Sequence, residues 1–501
     1  MAEEEFLFSV FISPKKIGTI IKWYSYILLV FINLLLLIDA GLYQSWGVRL
    51  DTSILPYLNT PELMIASVSS FQLISGILFW ILFSMICVKI FKNIIHKKIE
   101  KVRVSHWLQI PAFLLITACL IIPIRGGFQT IPVNQSNVYF SKQMFANHAA
   151  INFTWNFFNT LTHKVDGKNP YKYFDDEVAQ KIINKNRTKL LAANTDSILN
   201  TPKPNIILII WEGLTAKVVG SLGGEPTVTQ NLNKLSEEGI LFTNFYANGD
   251  RTDKGIPAIL SGYYPPPVKR IMRMPNKTRS LPMLPQKMID LGYKTSFYYG
   301  GDLNFGNMNT YLRNAGITNF VDGSEFDKKD WNSKWGVHDD ILFDRIATDY
   351  NEAPPEKPFF KTILTLTSHE PYEFPGTYRF GDASELNRFK SSMSYTDQAL
   401  GDFVAFAKTQ TWWENTVVII TADHGHPLPP NPLDNFNAPS RFHIPMLWIG
   451  GAIEGRGTVN TNLGSQVDLA YTLVDLLGGD NSAFEFGTHL FNSSKEHFVH
   501  Y

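Results

Sequence analysis

Three long apolar runs dominate the first 125 positions, and the pattern changes character after about position 204. Positions 20–38, 63–90 and 107–124 carry almost no charge. Each approaches or exceeds the roughly 20 residues that a helix needs to cross a bilayer. One such run would also suit a buried core helix, but three in succession predict a membrane domain. From 126 to 203 the pattern is mixed, with glycine, asparagine and aromatic residues, and helical apolar spacing over 145–161 and 175–191. The stretch Thr201-Pro202-Lys203-Pro204 marks a boundary, because two prolines deny a continuing helix. From 205 onward short apolar runs alternate with helical periodicity. Strands are predicted over 206–211, 293–299, 359–367 and 416–421, and helices over 229–239, 256–262, 281–291, 393–409 and 466–477. Such alternation signals a mostly parallel sheet with helices on both faces. The expected chain is therefore α/β in its polar part, with three segments. These are a membrane domain at 1–125 with about three transmembrane helices, a connector with short helices at 126–203, and a catalytic domain at 204–501.

Charge sets the orientation. Lys15, Lys16 and Lys22 lie at the start of the first run, and Lys89, Lys92, Lys97, Lys98, Lys101 and Arg103 cluster between the second and third. The intervening loop, 39–62, has Arg49 as its one basic residue. The positive-inside bias puts the N-terminus and the second loop in the cytoplasm, and everything after Arg125 outside it. The acidic opening Glu3-Glu4-Glu5 lacks the basic n-region of a cleavable signal peptide. Lysine plus arginine and aspartate plus glutamate each number 45, so nothing electrostatic points to nucleic acid as a partner. Cys87 and Cys119 both lie in the apolar part. The polar part thus has no disulfide, no thiolate metal site and no cysteine nucleophile.

Candidate chemistry gathers where the predicted strands end, which is where open α/β sheets bind ligands. Glu212 closes the first apolar run and Asp423-His424 closes the last, while Thr252 sits in the polar, glycine-flanked loop before an apolar helix. Two carboxylates, an imidazole and a hydroxyl suit one divalent cation, and the hydroxyl also suits a nucleophile. Each has a plainer reading. Glu212 would serve as a helix-starting acid, Thr252 before Asp253 as an N-cap, and His369 or His443 as a satisfied structural histidine.

Several landmarks in order carry a family resemblance. Positions 205–212, ending in Trp211-Glu212, then 229–239, 242–246, 421–425 around Asp423-His424, and 466–478 from Gln466 to Gly478 resemble the sulfatase/alkaline-phosphatase superfamily. Membrane spans before such a domain, with Gly249-Asp250-Arg251-Thr252-Asp253 at the nucleophile position, look like the lipoteichoic acid synthase branch of phosphoglycerol transferases. The membrane exit Pro123-Ile124-Arg125-Gly126-Gly127 is also similar to that branch. The resemblance implies a sulfatase-like α/β fold, with Glu212, Thr252, Asp423 and His424 as metal ligands and Thr252 as nucleophile. It implies manganese as the ion, with magnesium or zinc as substitutes, and His369 beside the transferred phosphate. Trp335, His338 and Asp339 match a headgroup-lining segment more loosely, and His426 and His443 have no assigned role. The implied reaction moves phosphoglycerol from phosphatidylglycerol, through Thr252, to a glycan or polyglycerol phosphate acceptor at the outer face of a bacterial inner membrane. The alternatives on the same scaffold are a phosphoethanolamine transferase, a phosphodiester hydrolase and a non-enzymatic sensor. A true sulfatase is disfavoured, since its Cys/Ser-x-Pro-x-Arg motif is missing. Members of the branch commonly carry five spans against the three counted here, and the chain stops at His497-Phe498-Val499-His500-Tyr501 as a strand begins. It is therefore expected to be shorter than its relatives at both ends.

Overall fold

The structure is a computed structural model that describes residues 14–52, 54–55, 70–96, 109–162, 172–188, 198–267, 269–331, 333–352, 358–435, 437–492 and 498–501. The chain divides into two compact units, Met1–Tyr173 and Phe174–Tyr501.

The second unit is built on one eight-stranded sheet flanked by helices. Its strands are β1 (Asn205–Trp211), β2 (Ile240–Tyr246), β3 (Lys294–Tyr299), β4 (Asn319–Val321), β5 (Phe359–Leu364), β6 (Thr416–Ala422), β7 (Met446–Ile449) and β8 (Thr458–Ser465), in the order β4-β3-β5-β1-β6-β7-β2-β8. All neighbours pair in parallel except β7, which runs antiparallel between β6 and β2. Every residue of β1, β5 and β6 is buried, as strands covered on both faces are, although β5 carries Lys361 and Thr362 at its centre. The four predicted strands are present. The strand expected over 359–367 stops at Leu364, because the next threonines leave the ladder to serve other segments. Thr365 Oγ1 accepts from the Glu212 amide at 2.9 Å and Thr367 Oγ1 from the Asp339 amide at 2.9 Å. The strands β2, β4, β7 and β8 were not predicted. β7 is only four residues long, and β8 is a largely polar strand at the sheet edge.

Register matters more than topology for the chemistry. Trp211 pairs with Ala422, and Ile210 with Leu364, which in turn pairs with Tyr299. The carboxyl ends of β1, β6, β5 and β3 therefore stop at one level.

In the first unit, the helix Pro14–Trp46 packs along Ser70–Phe91. Asn33 donates to Ser84 Oγ at 3.3 Å, and the Trp80 indole to the Val30 carbonyl at 3.0 Å. These bonds replace the hydrophobic drive that lipid does not supply between helices. Gly18–Gln44 and Phe71–Ile94 are long and apolar enough to cross a membrane. The third apolar run forms the 17-residue helix Gln109–Arg125; positions 107–108, where that run begins, lie outside the described residues. The helical pattern over 145–161 is realised as two helices, Met144–Ala150 and Phe153–Thr162, broken where Ile151 turns extended. The pattern over 175–191 gives Asp176–Thr188, and its last three positions lie outside the described residues.

One buried cation stands out in the core. Lys361, in the middle of β5, is 6% exposed; its ammonium lies 3.9 Å from the Tyr350 ring centroid and donates to Tyr298 Oη at 3.1 Å. Burial pulls its pKa down to about 7, against a smaller upward pull from Asp349. A lysine whose folded pKa lies below its unfolded value costs stability in full below the folded pKa, and the cost fades as pH rises toward the unfolded value. Lys361→Met, which keeps the stem and removes the charge, is therefore expected to melt higher than the parent at pH 7. The gap should narrow between pH 7 and about 10, a trend that thermal melts across that range read directly.

Candidate active site

The shared level of the strand ends brings Glu212 and Asp423 side by side, each one residue beyond a paired position. Gly213 makes the turn after Glu212 with φ of 63°, a left-handed conformation that glycine adopts without strain, and its amide donates to Asp423 Oδ1 at 2.8 Å. The His424 amide donates to the same oxygen at 2.9 Å. His424 Nδ1 lies 2.8 Å from the Gly425 carbonyl and so carries a proton toward it. This leaves Nε2 facing Glu212 Oε1 at 3.2 Å and Asp423 Oδ2 at 3.5 Å.

Thr252 joins them from a different element. The helix Thr252–Ser261 begins at Thr252 itself, after Arg251 in an extended conformation. Thr252 is therefore not the N-cap that its sequence context allows. The amides of Lys254 and Gly255 turn back to the Arg251 carbonyl, and the Thr252 hydroxyl donates instead to Glu212 Oε2 at 3.1 Å. The first turn also lies against the Asp423 backbone. A Cβ on Gly255 would stand 1.8 Å from the Asp423 carbonyl oxygen, so only glycine permits this approach. Glu212, for its part, starts no helix; it opens a turn.

The electrostatics follow from burial. Desolvation and the neighbouring Glu212 charge push the Asp423 carboxyl well above its usual range. Desolvation also acts to raise Glu212, but the His424 hydrogen bond and charge outweigh it and hold that group low. Burial alone would discharge His424, yet the two carboxylates keep its proton far above the ordinary histidine range. The site wants positive charge between the two acids.

A second group of predicted residues lines a cleft formed by Ser333, Trp335, His338, Thr367, His369 and Glu373, among others. His369, in the segment after β5, is half-buried, and its ring centroid lies 4.7 Å from that of Trp335. The Trp335 indole donates to the Glu370 carbonyl at 2.7 Å, which fixes the pair. Asp339 is fully buried elsewhere. Its carboxylate accepts from the amides of Leu366 and Thr367 at 2.7 and 3.1 Å and from the Thr396 hydroxyl at 2.6 Å. It holds the segment that leads to His369. Two other histidines are engaged in packing. His426 stacks on Phe389 at 4.3 Å and accepts from the Leu428 amide, and His443 stacks on Tyr246 and bonds the Thr243 carbonyl at 2.8 Å.

The profile of the family described as Sulfatase matches residues 204–479, from just before β1 to just past the last helix. The chain belongs to the sulfatase family. It is 27% identical over 351 residues to the lipoteichoic acid synthase of Staphylococcus aureus, covering 64% of this chain and 52% of that protein. It thus spans about half the length of the curated relatives it matches. Among solved structures, a protein in the alkaline phosphatase superfamily from Vibrio parahaemolyticus superposes with a TM-score of 0.57 at 29% identity, over 64% of this chain and 80% of that one. The lipoteichoic acid synthase LtaP from Listeria monocytogenes has the same fold, with a TM-score of 0.56 at 20% identity, over 63% and 82% of the two chains.

The sulfatase site fits a divalent cation. Ligand atoms of Glu212, Asp423 and His424 all lie within 4.8 Å of one another. Asp423 Oδ2 is buried with no hydrogen-bond partner, an orphaned acceptor at the point where these groups converge. The Gly425 carbonyl fixes the tautomer that leaves His424 Nε2 as a ligand, as outer contacts do for metal-binding histidines. Family and grouping together make this a metal-dependent enzyme.

Sequence reasoning missed the groups that brace the site. Ser368 donates to the Glu212 carbonyl at 2.6 Å. Gln466 donates to the carbonyls of Ala422 and Asp423 at 2.8 and 2.7 Å and accepts from the Asn248 amide at 2.9 Å. Gln466 ties the end of β6 to the loop that carries Thr252. It stood at the head of the apolar-periodic 466–477 stretch, where nothing distinguishes a bracing glutamine from a solvated one.

A ligand that binds only the folded state stabilises it, by roughly 2.7 kcal/mol at 100 times its dissociation constant. Manganese titrated into the purified protein is expected to raise its melting temperature. Asp423→Asn and Glu212→Gln should each abolish most of that shift while still folding, which a melt with and without the ion measures.

Proposed function

We propose that the chain is a membrane-anchored transferase that takes phosphoglycerol from phosphatidylglycerol onto Thr252 and passes it to a glycan or glycerol-phosphate acceptor. The observation that carries this reading is the Thr252 hydroxyl, set at the first residue of a helix and 3.1 Å from a carboxylate of the metal-binding group. The name of the Staphylococcus aureus relative, a lipoteichoic acid synthase, supports a lipid-linked glycerophosphate polymer as the setting.

Glu212, Asp423, His424 and Thr252 would hold a divalent cation, manganese by preference, which would lower the pKa of the threonine hydroxyl and offset charge on the phosphate. Thr252 Oγ1 forms the new bond to phosphorus while the bond from phosphorus to the diacylglycerol oxygen breaks. The leaving oxygen takes a proton, and His369 is the group we assign to supply it. His369 then accepts the proton of the incoming acceptor hydroxyl, whose oxygen displaces Thr252 and frees the enzyme. The dipole of the helix that starts at Thr252 favours the negative phosphate throughout. Trp335 and His338, in the cleft with His369, are assigned to the glycerol headgroup, and Asp339 supports them from behind.

Intact-protein mass after incubation with phosphatidylglycerol and manganese tests the reading. A glycerophosphate-sized adduct is expected on the parent and none on Thr252→Ala. Glycerophosphate released without an adduct would favour a hydrolase, and an adduct formed from phosphatidylethanolamine alone would favour the ethanolamine transferase.

A further inference from the structure

Of the two short helices of the first unit, Phe153–Thr162 packs against a part of the first long helix whose depth can be counted. Met144–Ala150 meets that helix further out, at Tyr43, whose hydroxyl lies 3.2 Å from His148 Nδ1 and whose ring meets that of Phe145. Leu35 of that helix forms a buried cluster with Leu50 and Phe157, joined by Ile38, Leu42, Ile54, Leu55, Phe153 and Leu161. A hydrocarbon core of about 30 Å takes about 20 residues at 1.5 Å per residue. Counted from Gly18, where the apolar stretch begins, the core ends near residue 38; counted from Lys22, the last cation at that end, it ends near 42. Leu35 and Ile38 are thus inside the far leaflet and Leu42 is at its boundary. Whatever packs on them lies at the same depth.

The hydrogen bonding of this region is what such a depth demands. In lipid every backbone polar group needs a partner within the protein. The chain leaves the helix after Trp46 and returns against it over 49–52 and 54–55, and side chains meet the Leu50 amide and carbonyl and the Thr52 amide. Asp39, 5% exposed, accepts from the Leu50 amide at 2.7 Å and from Arg49 Nε at 3.0 Å, and its second oxygen pairs with Arg49 Nη2 at 2.9 Å. Arg49 also donates to the His148 carbonyl at 2.8 Å. Asn156 donates to the Leu50 carbonyl at 2.9 Å, and the Thr52 amide to Thr160 Oγ1 at 3.2 Å. An ionisable residue within a spanning helix that is fully paired in this way is costly to bury and marks a built element. On the outward side the same two helices present Phe145 and Phe158, 69% and 48% exposed, where a water-facing helix would carry polar residues.

We propose that Phe153–Thr162 and Met144–Ala150 form a collar, with the Asp39–Arg49 pair as its internal anchor. The first helix is embedded in the far leaflet with Phe158 against lipid, and the second lies at the leaflet boundary with Phe145 facing the headgroup region. The inference rests on reading Gly18–Gln44 as a membrane span, and the test separates the two. The full-length protein, with Cys87→Ser and Cys119→Ser, is reconstituted in phosphatidylcholine nanodiscs and spin-labelled at one introduced cysteine at a time. The positions are Phe145→Cys, Phe158→Cys, the span control Leu78→Cys and the aqueous control Lys329→Cys, whose parent residues are all exposed. The label at 158 is expected to relax with dissolved oxygen and to lose access to a water-soluble nickel chelate, as at 78, and the label at 145 to show nickel access between those at 78 and 329. Nickel access at 145 and 158 matching that at 329, with 78 still protected, would overturn the collar and leave the span intact. Nickel access at 78 would overturn the spanning reading and the collar with it.

Discussion

Two carboxylates buried side by side are the constraint on which the catalytic unit turns. The pairing of Trp211 with Ala422 leaves no choice about where the next residues go, and those residues are Glu212 and Asp423. Both are less than 10% exposed. Like charges this close in a poorly solvated interior repel strongly, so the fold is stable only with a cation between them or with one acid protonated. In the structure the His424 imidazole stands there and keeps a proton it would otherwise lose on burial. The arrangement therefore selects for a positive guest. It explains why hydrogen bonds converge on Asp423: Gly213 and His424 donate to its carboxylate, and Gln466 to its carbonyl.

Holding such a pair in place takes bracing from outside the sheet. Gln466 links Ala422, Asp423 and Asn248, while Asn248 Oδ1 accepts from the Val467 amide at 3.1 Å, closing a buried loop of hydrogen bonds. The Thr252 helix reaches Asp423 because position 255 has no side chain. On the other flank, Ser368 and Thr365 fasten the segment after β5 to the backbone of Glu212, and Asp339 fastens the same segment from behind. The carboxylate of Asp339 is spent on this segment and on the Thr396 hydroxyl, although it neighbours His338 in sequence. Burial lifts its pKa to about 6, so it loses charge more readily than a surface aspartate while keeping its donors.

Legibility from sequence followed burial. The central strands β1, β5 and β6 were readable because both faces are covered and the sequence has no reason to alternate. The ends of β1 and β6 were readable because Glu212 and Asp423-His424 interrupt largely apolar runs, whereas the end of β5 was placed three residues too late. β8 was not readable, because its exposed edge tolerates asparagine and threonine, and β7 is too short for any periodicity. Thr252 shows a different limit. A threonine before aspartate at a helix start has the same sequence signature whether its hydroxyl caps the helix or faces a distant glutamate 40 residues away. His426 and His443 were opaque because their partners, Phe389 and Tyr246, are brought to them only by the fold.

On the proposed reading, a covalent route relaxes what the site must hold at one time. A site that held a lipid donor and a polymeric acceptor together would need room for both next to the metal ligands. A covalent route removes that need, because diacylglycerol can leave into the bilayer before the acceptor arrives. The same cleft, the same histidine and the same helix terminus then serve each half of the reaction in turn. The nucleophile must survive between the halves, and a threonine ester of phosphate, shielded by the packed first turn of its helix, is suited to wait. On the same reading the donor's energy would come from the lipid headgroup bond, with no nucleotide required. The bond made to Thr252 is of the same type as the bond broken, so little of that energy is lost in the intermediate.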